Sequence, residues 1–155
     1  MNVNGTATDS VVIENSSVIT PSITGDNDKV YIVYRKTNEN FIRIKYLSNG
    51  GTSVQSLSNL SIGSANWIES VMSNNRLHVT YAVSNNIYYS YYIFETSSWS
   101  SQLTVSTGEN GILPRITAWH DINDDKVYFM YKKQSSSDIK WREYNVTTSS
   151  WVANP

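Results

Sequence analysis

The sequence predicts an all-β protein, a β-propeller made of four-stranded blades with three blades in the chain. Three observations carry this. Val and Ile together number 28 while Leu and Ala together number 11, and β-branched residues favour strands where Leu and Ala favour helices. Apolar residues alternate with polar ones over runs of six to eight, the period of a strand. Lastly, the alternating runs recur in matching groups, the mark of a repeat architecture.

The strongest element of each group is a segment of one shape: Lys29-Val-Tyr-Ile-Val-Tyr-Arg35, Arg76-Leu-His-Val-Thr-Tyr-Ala82 and Lys126-Val-Tyr-Phe-Met-Tyr-Lys132. Each begins on a base and carries tyrosine at its sixth position (Tyr34, Tyr81, Tyr131), and these tyrosines are 47 and 50 residues apart. Ahead of them lie Pro21-Ser-Ile-Thr24, Ile68-Glu-Ser-Val71 and Pro114-Arg-Ile-Thr117, which read as innermost strands. After them come Phe41–Leu47, Asn86–Tyr92 and Asp138–Tyr144, with Ile42, Ile87 and Ile139 in register, then Ile44, Tyr89 and Trp141. A turn follows, ending on a large apolar residue (Val54, Trp99, Trp151), and then a short fourth strand, clearest in Gln102–Ser106. The connectors are rich in Asn, Ser, Gly and Asp, which supply turn geometry.

Four short strands repeated at this period are the signature of propeller blades. A sandwich of about a dozen strands would alternate equally well, but it has no reason to recur in groups of four. The reading is a single half-propeller domain over residues 1–155. It comprises an outer strand at 10–16, blade 1 at about 18–62, blade 2 at about 66–108, and blade 3 at about 112–155 without its own outer strand. Three blades do not close a ring, which takes roughly four to eight. The expectation is a homodimer with six blades, each N-terminal strand completing the other chain's third blade. Without it, two apolar blade faces would be exposed.

Composition narrows the function classes. The chain has 12 basic and 13 acidic residues and a net charge of −1, which argues against broad electrostatic binding of nucleic acid. It lacks cysteine, so disulfides, thiol nucleophiles and thiolate metal sites are excluded. No apolar run nears the ~20 residues of a membrane helix, so no membrane insertion is expected. The polar opening MNVNGTATDS does not read as a signal peptide. A soluble protein is expected, and the sequence leaves the compartment unknown, with an extracellular role compatible.

The run Pro-Ser-Ile-Thr, Lys-Val-Tyr-Ile-Val-Tyr, Ile-Arg-Ile-Lys-Tyr and Ser-Asn-Gly-Gly-Thr-Ser resembles the BNR (Asp-box) repeats of the sialidase superfamily, and the repeats are also similar to those of propeller lectins. The Asp-box turn reads Ser-x-Asp-x-Gly-x-x-Trp. Here Ser48–Val54 and the turns ending at Trp99 and Trp151 keep the small polar residues and twice the tryptophan, without the aspartate. The resemblance implies a propeller, with Trp99 and Trp151 as packing plugs between blades. It also implies that a sialidase would need three arginines and a Tyr/Glu pair. Five arginines are present (Arg35, Arg43, Arg76, Arg115, Arg142), but only Arg115 starts an innermost strand. The Phe-Arg-Ile-Pro signature is absent. An enzyme is therefore not the favoured reading, and no catalytic residue is assigned.

The candidate ligand residues are Trp67, Glu69, Arg115 and Trp119. Both tryptophans flank innermost strands without a counterpart in blade 1, and Glu69 and Arg115 start innermost strands at the corresponding place. A sugar site needs an aromatic face and a few aimed polar groups. Asp121-Ile-Asn-Asp-Asp125 has the spacing of a calcium loop but Lys126 and Lys132 where the glycine and glutamate belong, so it reads as a polar turn. His78 and His120 fall in different blades. Neither a metal nor a cofactor is expected. The function expected is a non-enzymatic, carbohydrate-binding propeller assembled from two chains. The alternatives are a glycosidase- or sialidase-like enzyme or its remnant, and a structural propeller without ligand.

Overall fold

Alternation and turn chemistry divide the chain into three antiparallel sheets in the computed structural model, which describes residues 12–14, 16–48, 50–106 and 110–152. The first sheet contains β1 (Val18–Gly25), β2 (Lys29–Lys36), β3 (Phe41–Ser48), β4 (Gln55–Ser56) and β5 (Leu60–Ser61). The second contains β6 (Ala65–Ser73), β7 (Arg76–Val83), β8 (Asn86–Ile93), β9 (Ser98–Trp99) and β10 (Leu103–Thr104). The third contains β11 (Gly111–His120), β12 (Asp125–Lys133), β13 (Ile139–Asn145) and β14 (Ser150–Trp151). Each sheet pairs its long strands in chain order, and no described residue is helical. The all-β class is as the sequence predicts, with three long strands in each sheet. The innermost strands of the second and third run longer than expected, so Trp67 and Glu69 lie within β6, and Arg115 and Trp119 within β11, rather than flanking or starting a strand.

The fourth strand is where expectation and structure part. In the second sheet it is broken in two: β9 continues the hairpin opposite Tyr92 and Ile93, and β10 rejoins β8 opposite Tyr88 and Tyr89. The intervening Ser100 turns both its N–H, to the Tyr91 carbonyl, and its hydroxyl, from the Tyr91 N–H, onto the same neighbour. The first sheet repeats the break with β4 and β5 on β3. Of the predicted outer strand at 10–16, Ser10, Val11 and Asn15 lie outside the described residues, and Val12–Glu14 and Ser16 are not strand.

Proline explains a second shared irregularity. Register shifts fall between Ile19 and Ser22 in β1 and between Ile112 and Arg115 in β11. Each spans a proline, Pro21 or Pro114, and the residue before it has a positive φ, 46° at Thr20 and 55° at Leu113. Proline has no N–H for the ladder, so a strand accommodates it at a bulge. Beyond the bulges, Ser22, Glu69 and Arg115 face Val33, Thr80 and Met130, the fifth residues of the three repeated segments. The β6–β7 hairpin turns on Asn74-Asn75, both at positive φ (44° and 51°), as a two-residue primed turn requires.

The sheets stack face to face. We term the face bearing Val33, Thr80 and Met130 the front of each sheet, and the opposite face the back. Tyr31, Val33, Ile42 and Ile44 on the front of the first sheet pack with Ile68, Leu77, Val79, Tyr81 and Tyr92 on the back of the second. Ala82, Ile87 and Tyr89 on the front of the second pack with Val127, Phe129, Tyr131 and Tyr144 on the back of the third. The second sheet is thus covered on both sides, and Leu77–Ala82 of β7 are six consecutive buried residues. Strands β1 and β6 run side by side in the same direction. The Ser22 and Ser70 hydroxyls share a hydrogen bond of 2.9 Å, and two residues on, the Met72 N–H donates to Thr24 Oγ1.

Candidate functional site

Strand β6 presents Trp67 and Glu69 on one face, two residues apart, opposite Ala82 and Thr80. On the neighbouring sheet, β11 presents Arg115, and its Nη1 donates to Glu69 Oε1 at 2.5 Å and to the Pro114 carbonyl at 3.2 Å. The ion pair joins the first strands of two sheets, so it sits where the sheet edges meet. Its side chains are 63% exposed for Arg115 and 34% for Glu69. An exposed pair of this kind adds little to stability, about 0–1 kcal/mol. It therefore leaves a charged fork and a carboxylate accessible to a ligand, beside a tryptophan that is 44% exposed.

Trp119 stands apart. It lies on the same face of β11 as Arg115, opposite Lys126 and 47% exposed. It lies four positions beyond Arg115, or ~13 Å along an extended strand. Of the four predicted residues, the structure brings Glu69 and Arg115 into contact and sets Trp67 next to Glu69. Trp119 forms a separate aromatic surface.

The turn tryptophans are packed differently. Trp99 meets Tyr92 edge-on at 5.3 Å and donates its indole N–H to the Ser58 carbonyl. Trp151 meets Tyr144 edge-on at 5.0 Å and carries the Arg142 guanidinium over its ring at 4.1 Å. Both remain partly exposed, closing the ends of the two cores rather than filling them.

Sequence reasoning did not single out the front of the third sheet as a surface with its own residues. Arg115, Thr117, Tyr128, Met130 and Trp141 line an apolar hollow of about 430 Å³ there. A second hollow of about 230 Å³ adjoins it, lined by Leu113, Arg115, Met130, Lys132 and Ile139 among others. The register pairs Met130 with Trp141 and Lys132 with Ile139. The available signal was alternation, which puts Met130, Trp141 and Ile139 on one face.

A buried polar group joins the second and third sheets. His78 is fully buried on β7, with Nδ1 2.7 Å from the Tyr89 hydroxyl. Asp125 is 1% exposed and accepts from Arg76 Nη1 at 2.7 Å and Asn74 Nδ2 at 3.2 Å. Burial drives the His78 pKa down to about 4, with Asp125 acting in the opposite direction. Burial likewise pushes the phenols of Tyr31, Tyr34 and Tyr81 up to about 12. A neutral imidazole sealed between sheets is a packing and hydrogen-bonding element, not a proton-transfer group open to substrate.

The Asp121–Asp125 stretch is a turn closed on itself. Asp121 Oδ1 accepts from the N–H groups of Asn123 and Asp124, and those bonds hold its carboxyl below the usual range. Asp26 Oδ1 likewise accepts from the N–H groups of Asp28 and Lys29. Among the described residues, no group of three or more His, Cys, Asp or Glu side chains is arranged to hold a metal ion. No protein-family model matches the chain, and no curated protein matches it in sequence.

Proposed function

We propose that the chain is a non-enzymatic carbohydrate-binding module, three blades of a β-propeller whose ring is completed by a second copy. Trp67, Glu69 and Arg115 form the ligand site. The observation that carries this is the juxtaposition at the β6–β11 edge: a half-exposed indole beside an exposed, weakly stabilising Arg–Glu pair. A sugar ring offers an apolar C–H face and a rim of hydroxyls, which an aromatic plane and a few aimed donors and acceptors match. Arg115 supplies planar donors, and Glu69 accepts.

Support for the propeller comes from the threefold repeat, from three antiparallel sheets stacked front to back, and from first strands running side by side in one direction. The similarity of the repeats to Asp-box and lectin propellers agrees with it. Glycoside cleavage by the usual route needs two carboxylates facing one bond. Glu69 is tied to Arg115, so the pair suits recognition better than catalysis.

A glycan array followed by titration tests the site. Trp67→Ala is expected to weaken binding of the best glycan by ~1–3 kcal/mol through the lost stacking surface. Arg115→Ala should weaken it as well, while Trp99→Ala should lower the melting temperature and leave affinity intact. Unchanged affinity in both Trp67→Ala and Arg115→Ala removes the site from this edge. Loss of affinity in Trp119→Ala alone moves it to the far end of β11.

A further inference from the structure

We propose that the front of the third sheet seats the back of the first sheet of a second copy of this chain, reciprocally. Two such contacts then join two chains around a twofold axis. The proposal rests on the propeller reading above and specifies its interface, down to the residues that meet.

The repeat supplies an internal control for every position. On the front of the first two sheets, Val33 and Thr80 are fully buried, as are Ile42 and Ile87, and Ile44 and Tyr89 are 1% and 0% exposed. Their equivalents on the third sheet are Met130 at 51%, Ile139 at 68% and Trp141 at 47%. The backs tell the same story from the other end. Leu77 and Val127 are fully buried, whereas their equivalent Val30 on the first sheet is 43% exposed and Ile23 nearby is 71% exposed. Among the described residues the chain thus makes one front-to-back contact twice and leaves uncovered the front of the third sheet and the Val30 end of the back of the first, the complementary halves of a third such contact. Tyr34, further along that back, is buried and bonded to Glu14. Apolar surface of this kind, arranged as one patch, marks an interface.

The contact between the second and third sheets indicates what the further one would join. Tyr89 packs edge-on against Phe129 at 4.9 Å and Tyr144 at 5.8 Å. The equivalent of Tyr89 is Trp141, and those of Phe129 and Tyr144 are Ile32 and Leu47. Trp141 would therefore lie on Ile32 and Leu47 of the second copy. Arg76 pairs with Asp125 across the second and third sheets at 2.7 Å. The equivalent positions are Lys126, which already lies 3.4 Å from Glu143 and 3.6 Å from Asp124 within its own sheet, and Asp28 of the second copy, again opposite in charge.

The N-terminal segment is already placed for this. Arg142 Nη1, on the back of the third sheet, donates to the carbonyl of Val105, which follows the last short strand of the second sheet. Lys45, the equivalent of Arg142, donates to the carbonyl of Ile13 at 2.7 Å, and Glu14 is fixed by Tyr34 and Lys36 at 3.0 Å each. Residues 12–14 thus sit on the first sheet as the Val105 segment sits on the third. The Val105 N–H donates to the Ile87 carbonyl, so the N-terminal segment is aimed at Ile139 of the second copy, the equivalent of Ile87. A heterologous contact closes into a ring only at a fixed number of copies. Two copies give six sheets, within the roughly four to eight that close, and three give nine.

Sedimentation of three proteins and one mixture tests the arrangement, and the front-to-back geometry makes a distinctive forecast. The wild-type chain should sediment at about 35 kDa, twice 17.5 kDa. Met130→Arg on the front and Val30→Arg on the back should each weaken self-association at least tenfold. An equimolar mixture should recover a heterodimer, because one intact front meets one intact back. Ile139→Glu and Ile23→Arg, at the two most exposed apolar positions of these faces, replace either variant whose melting curve is lost. A wild-type monomer overturns the proposal. So does a back variant that still dimerises while the front variant does not, since that contact would be front to front. Glycan titration keeps the two readings separate: a monomeric wild type that binds glycan sinks the interface alone, and a dimer that binds none sinks the ligand reading alone.

Discussion

Replacing Tyr89 with alanine will destabilise the fold by ~3–5 kcal/mol, the range for emptying a large buried side chain. Tyr89 is fully buried and stands where the second and third sheets meet. Its ring contacts Phe129, Tyr144 and Tyr91, and its hydroxyl is 2.7 Å from His78 Nδ1. Truncation therefore opens a cavity in the core and leaves a buried imidazole nitrogen without its hydrogen bond, and both costs act together. Tyr89→Phe isolates the second, since it retains the packing, and should cost ~1–3 kcal/mol. Urea unfolding of the three proteins at pH 7.5 gives the comparison. A Tyr89→Ala midpoint within experimental error of wild type would show that the two sheets do not depend on this contact.

Acidification is expected to unfold the protein earlier than its surface carboxylates alone would allow, because of His78. The folded chain holds this imidazole neutral, with a pKa of about 4 against an ordinary 6.5. Burial is the main cause. As pH falls below 6.5 the unfolded chain takes up a proton that the folded chain refuses until about pH 4, and that uptake favours unfolding. Stability is thus fully present above pH 6.5 and declines as pH falls, with the loss complete near pH 4. At ~1.36 kcal/mol per pH unit across that window, the effect is ~3 kcal/mol. The charged and titratable groups around His78 are Asp125 and Arg76, with Tyr89 and Tyr91 as ring neighbours. His78→Gln removes the titration and keeps a polar side chain facing Tyr89. Its denaturation midpoint should be lower than wild type at pH 7.5 and nearly flat from pH 6.5 to 4.5. Parallel pH profiles for wild type and His78→Gln would place the acid sensitivity elsewhere.

Much of the architecture is written locally. Alternation in Lys29–Arg35, Arg76–Ala82 and Lys126–Lys132 defines strands because a pleated backbone sends successive side chains to opposite faces. The repeat then fixes which positions correspond. That correspondence alone places Ser22, Glu69 and Arg115 at one level, and the register puts them opposite equivalent residues. The break in the outer strands was not legible. It depends on Ser100 bonding twice to the Tyr91 backbone, and a Ser-rich stretch carries no periodicity to announce it.

The sequence by itself determined the all-β class, the number of long strands, their order and the two faces of each, since these follow from the spacing of apolar residues along the chain. Tertiary structure decided which face is covered. Met130 and Val33 occupy the same place in the repeat and are both apolar, yet one is half exposed and the other buried, because burial depends on the presence of a neighbouring sheet. The same holds for His78, whose position matches Tyr31 and Tyr128. Its neutrality arises from desolvation between two sheets and from Asp125, 47 residues away in sequence. Trp67 and Trp119 read alike as exposed aromatics; spacing along each strand sets the first beside Glu69 and the second ~13 Å past Arg115, and only the packing of two sheets brings Arg115 onto Glu69. Spacing along a strand is local chemistry, but proximity between sheets is a property of the packed molecule.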